Sequence, residues 1–336
     1  MKRLVILGGG ESGVGTAILG KQKGWEVFLS DRNSLKPHYR ETLNKEGIEW
    51  EEGTHTEEKI LSADVIMKSP GIPDKAPIVK KAREKGIRII SEIEFASEYT
   101  HSLIVGITGS NGKTTTTLLT HQIFKDAGLQ VGLGGNIGYS FAELVATENP
   151  PYYVLEISSF QLDGIEHFAP HIAVLLNITP DHLDRYDYKF ENYIDSKFRI
   201  AMNQTQNDYL IYDADDPVIE EWLQNHTLKV KLIPFSIEKE LPYGAFLKDN
   251  KIHIMLENQT AETTEIDVEE ISLRGKHNIK NTMAASVAAR LVNIRNNSLR
   301  DSLKGFKGVD HRLEEVKVVA VSYTHLRAHE TVLDLV

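Results

Sequence analysis

Residues 103–107, Leu-Ile-Val-Gly-Ile, run directly into Thr-Gly-Ser-Asn-Gly-Lys-Thr-Thr at 108–115. The pattern predicts a short apolar strand, a glycine turn and an apolar helix carrying Leu118, Leu119, Ile123 and Phe124. Such a turn closes backbone N–H groups around phosphate oxygens, and the helix N-terminus favours the anion. Lys113 supplies a full positive charge, and the Thr114 hydroxyl suits Mg2+. The usual pattern has a glycine where Ile107 stands, so what survives is Gly109-x-x-Gly112-Lys113-Thr114. A glycine turn followed by an ordinary surface lysine would share these letters. The flanking strand and helix favour phosphate binding instead. Gly109, Ser110, Asn111 and Gly112, with Lys113, Thr114 and Thr115, are therefore expected to hold a nucleoside triphosphate.

A loop of this kind belongs to an α/β chain with a mainly parallel sheet, and 336 residues are enough for two or three domains. Apolar residues at 41% and charged residues at 26% fit a soluble globular protein. No apolar run is long enough to span a membrane, and the N-terminal Leu4–Leu7 run reads as a first strand. Zero cysteines exclude disulfides and thiolate metal sites, which points to a reducing compartment, the cytoplasm. A net charge of −10 argues against nucleic-acid binding but leaves room for small anionic ligands.

The first 95 residues alternate strand and helix. Strands are expected at Lys2–Leu7, Glu26–Ser30, Asp64–Lys68 and Arg88–Ile90. A glycine turn at 8–15 and an acidic residue, Asp31, some way downstream suggest a Rossmann-like half. A nucleoside diphosphate group suits it better than a dinucleotide, because the second half of a dinucleotide fold is not visible. From 96 to 307 a second α/β unit follows, with strands expected at 103–107, 152–157, 172–178 and 208–212. Short alternating segments over 230–273 suggest an antiparallel patch, and Asn278–Val292 an alanine-rich helix.

Ligands of parallel sheets sit at the carboxyl ends of strands. Glu156, Asn136 and the pair Asp181-His182 all fall there beside the loop. A carboxylate and an imidazole next to phosphates suit metal or water binding. Taken singly, Glu156 reads equally as a helix cap and His182 as a satisfied loop histidine. Their shared position with the loop favours the functional reading.

The runs Gly-Ser-Asn-Gly-Lys-Thr-Thr, Gly-Gly-Asn-Ile-Gly, Glu-Ile-Ser-Ser-Phe-Gln-Leu and Asn-Ile-Thr-Pro-Asp-His-Leu-Asp-Arg-Tyr occur in that order. Together they resemble the Mur ligase family over residues 1 to roughly 320, and most of all its D-glutamate-adding members. Ser69-Pro70-Gly71-Ile72 and Leu273-Arg274-Gly275-Lys276-His277-Asn278-Ile279-Lys280-Asn281 fit as well. The resemblance implies ATP-dependent addition of D-glutamate to UDP-N-acetylmuramoyl-L-alanine through an acyl phosphate, in peptidoglycan precursor synthesis. It implies a first Mg2+ at Thr114 and Glu156 and a second near His182. It also implies that Lys197, which alone reads as a solvated helix lysine, is carbamylated by CO2 and becomes a metal ligand. Lys113, His182 and Lys197 would be the catalytic groups. The UDP-linked substrate would meet Gly13, Asp31, Arg32, Ser69, Pro70, Gly71, Asn136 and His182. Asn278, Asn281 and Arg312 would lie near the adenine and ribose, although helix capping accounts for Asn278 equally well. A monomer without membrane or nucleic-acid partners is expected.

The chain departs from the family after residue 308. A unit at 308–320 would begin the third, C-terminal domain, which is expected to be essentially missing. Residues 321–336 look like a translated sequencing adapter, so no metal role is given to His325 or His329. On this expectation the chain as written does not ligate D-glutamate. The alternatives are another Mur or folylpolyglutamate-type ligase, or a non-catalytic nucleotide-binding fragment.

Overall fold

In the computed structural model, residues 2–256 and 264–308 are described, with the backbone of two short strands at 318–319 and 322–323. Arg312, His325 and His329, with most of 308–336, lie outside the described residues.

The N-terminal unit is a five-stranded parallel sheet in the order β3-β2-β1-β4-β5. Its elements are β1 (Arg3–Leu7), α1 (Glu11–Gln22), β2 (Glu26–Asp31), α2 (Pro37–Lys45) and β3 (Glu49–Glu52). They continue with α3 (Glu57–Ile60), β4 (Val65–Lys68), α4 (Pro77–Glu84), β5 (Arg88–Ile90) and α5 (Glu92–Ser97). Strand order reverses beside β1, which opens a crevice at the carboxyl ends of β1, β2 and β4.

The central unit is a nine-stranded sheet in the order β14-β13-β12-β11-β10-β9-β6-β8-β7. It contains β6 (Leu103–Thr108), α6 (Lys113–Asp126), β7 (Val131–Gly135), α7 (Phe141–Thr147), β8 (Tyr152–Glu156) and α8 (Ser159–Leu162). Next come β9 (Ile172–Leu175), α9 (Phe190–Phe198), β10 (Tyr209–Asp213), α10 (Pro217–Asn225) and β11 (Lys231–Ser236). The series ends with β12 (Gly244–Lys248), β13 (Lys251–Met255), β14 (Thr264–Asp267), α11 (Lys276–Leu291) and α12 (Asn296–Gly305). Val105, Ile107, Val154, Val174 and Ile211 are fully buried, as strands covered on both faces require.

Three sequence expectations change. Segment 230–273 is only partly antiparallel: β11 and β12 extend the parallel sheet, and only β12–β13–β14 is antiparallel. The strand expected over 172–178 stops at Leu175, and Leu176–Ile178 leave it to meet the phosphate loop. Strands β3 and β7 were not expected at all.

The two units share one apolar core. Helices α1 and α5 pack on α7, and Leu4, Ile6 and Phe95 join Phe141, Tyr153 and Leu155 in a single cluster. Glu92, fully buried, fastens the joint by accepting from the Ala142 N–H at 2.8 Å at the start of α7. Burial pushes its carboxyl up to about 7.

Candidate functional site

Two candidate sites lie at the carboxyl ends of the sheets, a crevice in the N-terminal unit and the loop after β6 in the central unit. The crevice, about 830 Å3, is lined by Gly8, Gly10, Ser12, Asp31, Arg32, Ser69, Pro70 and Gly71 among others. Asp31 does not project freely into it. Its Oδ2 accepts from the Gly9 N–H at 2.6 Å and its Oδ1 from the Asn33 N–H at 2.7 Å. Asp31 therefore shapes the glycine turn. Gly13 is not part of the crevice wall: a Cβ there would lie 1.9 Å from the Gly8 carbonyl oxygen. Its role is the close crossing of α1 over the turn.

The second site is the loop after β6. Gly112 takes φ +82° and precedes α6, and a Cβ there would lie 2.5 Å from Asn281 Oδ1. Thus α11 places the expected nucleotide-side asparagine directly against the loop. Lys113 Nζ donates to the carbonyls of Gly109 at 2.9 Å and Ser110 at 2.8 Å. Pairing of Ile107 with Glu156, and of Glu156 with Gly135, brings the β8 carboxylate level with the loop. Thr114 Oγ1 donates to Glu156 Oε2 and Asn136 Nδ2 to Glu156 Oε1, each at 2.8 Å. Glu156 is 2% exposed.

Lys197, on α9, comes to the same loop. Its Nζ donates to the Gly109 carbonyl at 2.9 Å and to Thr108 Oγ1 at 3.2 Å, and it lies 5.3 Å from the Tyr193 ring centroid. The residue is only 2% exposed. Burial, with the Lys113 charge adding, pulls its ammonium down to about 7. The solvated-lysine alternative does not describe this position.

His182, unlike Glu156 and Lys197, is exposed. It adopts φ 50° at the start of the turn Leu183–Arg185, its side chain is 55% exposed, and its Nε2 lies 3.5 Å from Asp181 Oδ2. Its ring packs 5.2 Å from Phe160. Asn278 does not cap α11, which starts after Gly275; its Nδ2 donates back to the Arg274 carbonyl at 2.8 Å. Asn281 is buried, and its Nδ2 reaches Asn278 Oδ1 at 3.3 Å.

Several supports of the loop were missed by sequence reasoning. Asn177 accepts from the Asn111 N–H at 2.8 Å and donates to its carbonyl at 3.0 Å. Ser110 Oγ accepts from the Thr179 N–H at 2.9 Å and meets Tyr193 OH at 3.1 Å. Lys280 Nζ lies 2.8 Å from Asp213 and 3.1 Å from Asp215, and burial pushes the Asp213 carboxyl up to about 6. The available signals were Asn177 and Thr179 standing in the same run as His182, and Lys280 standing in the run that ends at Asn281. A second carboxylate–histidine group, Glu94, Glu166 and His167, is explained without a metal. Glu94 accepts the N–H groups of Glu166, His167 and Phe168.

The oxygens of Thr114 and Glu156 at a helix N-terminus suit a hard cation carrying phosphate, since Mg2+ takes oxygen ligands. Lys113 adds charge where phosphates would lie, so the donor set fits ATP with Mg2+.

Comparison with known proteins agrees. The family profile described as Mur ligase middle domain matches residues 107–289, and that described as Mur ligase MurD-like, N-terminal domain matches residues 2–91. The UDP-N-acetylmuramoylalanine–D-glutamate ligase of Christiangramia forsetii is 56% identical over 94% of this chain and 70% of its own length. The protein of the same name from Bacteroides fragilis is 51% identical with the same coverage. Among solved structures, a UDP-N-acetylmuramate:L-alanyl-gamma-D-glutamyl-meso-diaminopimelate ligase from Neisseria meningitides aligns at a TM-score of 0.64 and 22% identity. That alignment covers 92% of this chain and 99% of the other. A murein peptide ligase from Psychrobacter arcticus aligns at 0.63 and 20% identity, over 94% of this chain and 71% of the other. These two likenesses establish the fold alone.

Proposed function

We infer that this chain, which belongs to the Mur ligase family, takes part in peptidoglycan precursor synthesis as an ATP-dependent ligase that joins D-glutamate to UDP-N-acetylmuramoyl-L-alanine. The hydrogen bond from Thr114 Oγ1 to Glu156 Oε2, 2.8 Å, carries this reading. It ties the phosphate loop to a buried carboxylate and makes one oxygen-rich corner beside Lys113.

Amide formation from a carboxylate needs a leaving group. Transfer of the γ-phosphoryl group to a carboxylate oxygen supplies one, with ADP departing. The amine nitrogen then attacks the acyl carbon, phosphate leaves with the C–O electron pair, and the spare proton passes to solvent. Both steps gather negative charge on transferring oxygens. Lys113, with the N–H groups at the start of α6, meets that charge. Thr114 and Glu156 would hold a first Mg2+, and His182 and Lys197 a second. Bound Mg2+ screens phosphate charge and polarises the reacting oxygens.

As an ammonium, Lys197 cannot ligate a cation. Its depressed pKa leaves a neutral amine fraction near neutral pH, which reacts with CO2 and releases a proton. We assign Lys197 as the carbamylated residue. A mass gain equal to CO2 that is lost on acidification, and absent in Lys197→Ala, tests it.

The UDP end belongs in the 830 Å3 crevice, with Arg32 and the 69–71 turn beside it. Asn278 and Asn281 belong on the adenine side. No described helix is long and apolar enough to cross a membrane. We place the protein in the cytoplasm as a monomer, which size-exclusion chromatography tests.

Calorimetric titration tests the substrate assignment. ATP with Mg2+ is expected to bind. UDP-N-acetylmuramoyl-L-alanine is expected to bind about tenfold tighter than UDP-N-acetylmuramate, the difference expected for one well-placed polar group. The reverse order would move the chain to a sister ligase, and no ATP binding would sink the ligase reading.

A further inference from the structure

The run Asp181-His182-Leu183-Asp184-Arg185-Tyr186 has so far supplied a role for His182 only. Arg185 closes the same turn, its N–H donating to the His182 carbonyl at 2.9 Å. Its side chain then crosses to the other unit. Nη2 donates to the Pro70 carbonyl at 3.1 Å, and the guanidinium carbon lies 4.4 Å from the Phe160 ring centroid. Phe160 in turn packs on His182 at 5.2 Å and lies nearly parallel to Tyr186 at 6.0 Å.

The turn that Arg185 reaches is one wall of the crevice. It is held by a second cation as well. Lys68 Nζ donates to the Ile72 carbonyl at 2.8 Å, and the Ile72 N–H closes the turn onto the Ser69 carbonyl at 3.0 Å. Two cations, one from each unit, therefore hold the Pro70 and Ile72 carbonyls of a single turn. Burial lowers the Lys68 ammonium, and the nearby Arg185 charge adds to the effect.

We propose that Arg185 is a positioning residue that locks the 69–72 wall of the crevice to the turn presenting His182, and so aligns a UDP-linked substrate with the phosphate loop. The inference rests on the crevice being the UDP site. A planar guanidinium can donate to a carbonyl in its own plane while its flat face packs on a ring, whereas an ammonium meets both only as a point charge. No other described side chain donates a hydrogen bond to the Pro70 carbonyl.

The experiment is calorimetric titration of the 336-residue chain and its Arg185→Ala, Arg185→Lys and Phe160→Leu variants. Each is titrated with UDP-N-acetylmuramoyl-L-alanine and, separately, with ATP and Mg2+. Arg185→Ala is expected to weaken the UDP-linked ligand about tenfold while ATP affinity stays within about twofold. Arg185→Lys should recover part of the loss, and Phe160→Leu should reproduce part of it. Equal affinity of Arg185→Ala and wild type for the UDP-linked ligand overturns the inference alone. So does a parallel loss of both ligands with a lowered Tm, which marks a mere brace. If Arg185→Ala does not fold, the same two-ligand comparison is made on Arg185→Lys. A wild-type chain that ignores the UDP-linked ligand overturns the functional reading as well.

Discussion

Two glycine turns, at 8–13 and 109–112, each follow the first strand of a parallel sheet and each open a helix, yet they are built for different tasks. Around the first, an aspartate collects the N–H groups of Gly9 and Asn33. None of residues 8–13 is a lysine or arginine. Around the second, Lys113 and Lys197 both donate to the Gly109 carbonyl, and Glu156 holds the Thr114 hydroxyl. The first turn can hold a ligand whose charge does not change. The second gathers cations and hard oxygens where charge moves, which phosphoryl transfer requires. The same local backbone is thus separated into binding and chemistry by side chains delivered from α9 and β8.

Four substitutions test that separation. Lys113→Ala should weaken ATP about 100-fold, the upper range for losing hydrogen bonds to a charged group, and leave UDP affinity unchanged. Calorimetry with both ligands reads the contrast, and a joint loss would break it.

Lys197→Met should follow in size. The folded pKa of about 7 lies below the ordinary 10.5, so the unfolded chain binds more protons between those values. Wild-type stability then rises with pH across that window, and the penalty is full below it. In CO2-free buffer the methionine variant should be more stable by about 2 kcal/mol at pH 6, with the advantage fading toward pH 10. Denaturant melts across the pH range measure this, and a pH-independent difference would count against a desolvated amine.

Gly13→Ala should cost about 2 kcal/mol, because the new Cβ meets the Gly8 backbone carbonyl, which has little room to yield. UDP affinity should fall and ATP affinity hold, the mirror image of Lys113→Ala. Asp31→Asn is the mildest change. An amide oxygen can replace one of the two acceptors, so about 1 kcal/mol, or about fivefold in UDP affinity, should be lost.

The second turn was far more legible in the sequence than its surroundings. Strand, glycines, lysine and threonines are contiguous, so one local pattern carries them. Glu156 was readable because it closes an apolar run at the end of β8, whereas His182 lies well past the end of β9 and was singled out through the family run around it. Strand β3 was not, because Glu49-Trp50-Glu51-Glu52 places acids on an edge strand. There Glu51 accepts from Ser30 and Thr56, and Glu52 from Leu35 and Arg40. Strand β7 was hidden by its three glycines. One of them, Gly135, has φ +97° and no space for a Cβ, which would lie 2.2 Å from the Glu156 carbonyl oxygen. Asp31, read as a ligand contact, is engaged by backbone N–H groups across the turn, which no spacing rule reveals.

The sequence by itself determined the parallel α/β class, the phosphate loop and the order of the family motifs. Each depends on neighbours along the chain or on strand-end position. The tertiary structure alone decided that Lys197 is buried against Gly109 and that Asn281 abuts Gly112. It also decided that Arg185 reaches Pro70 across the two units. Those contacts join residues far apart in the chain, and their chemistry arises only when packing removes water and sets the charges side by side.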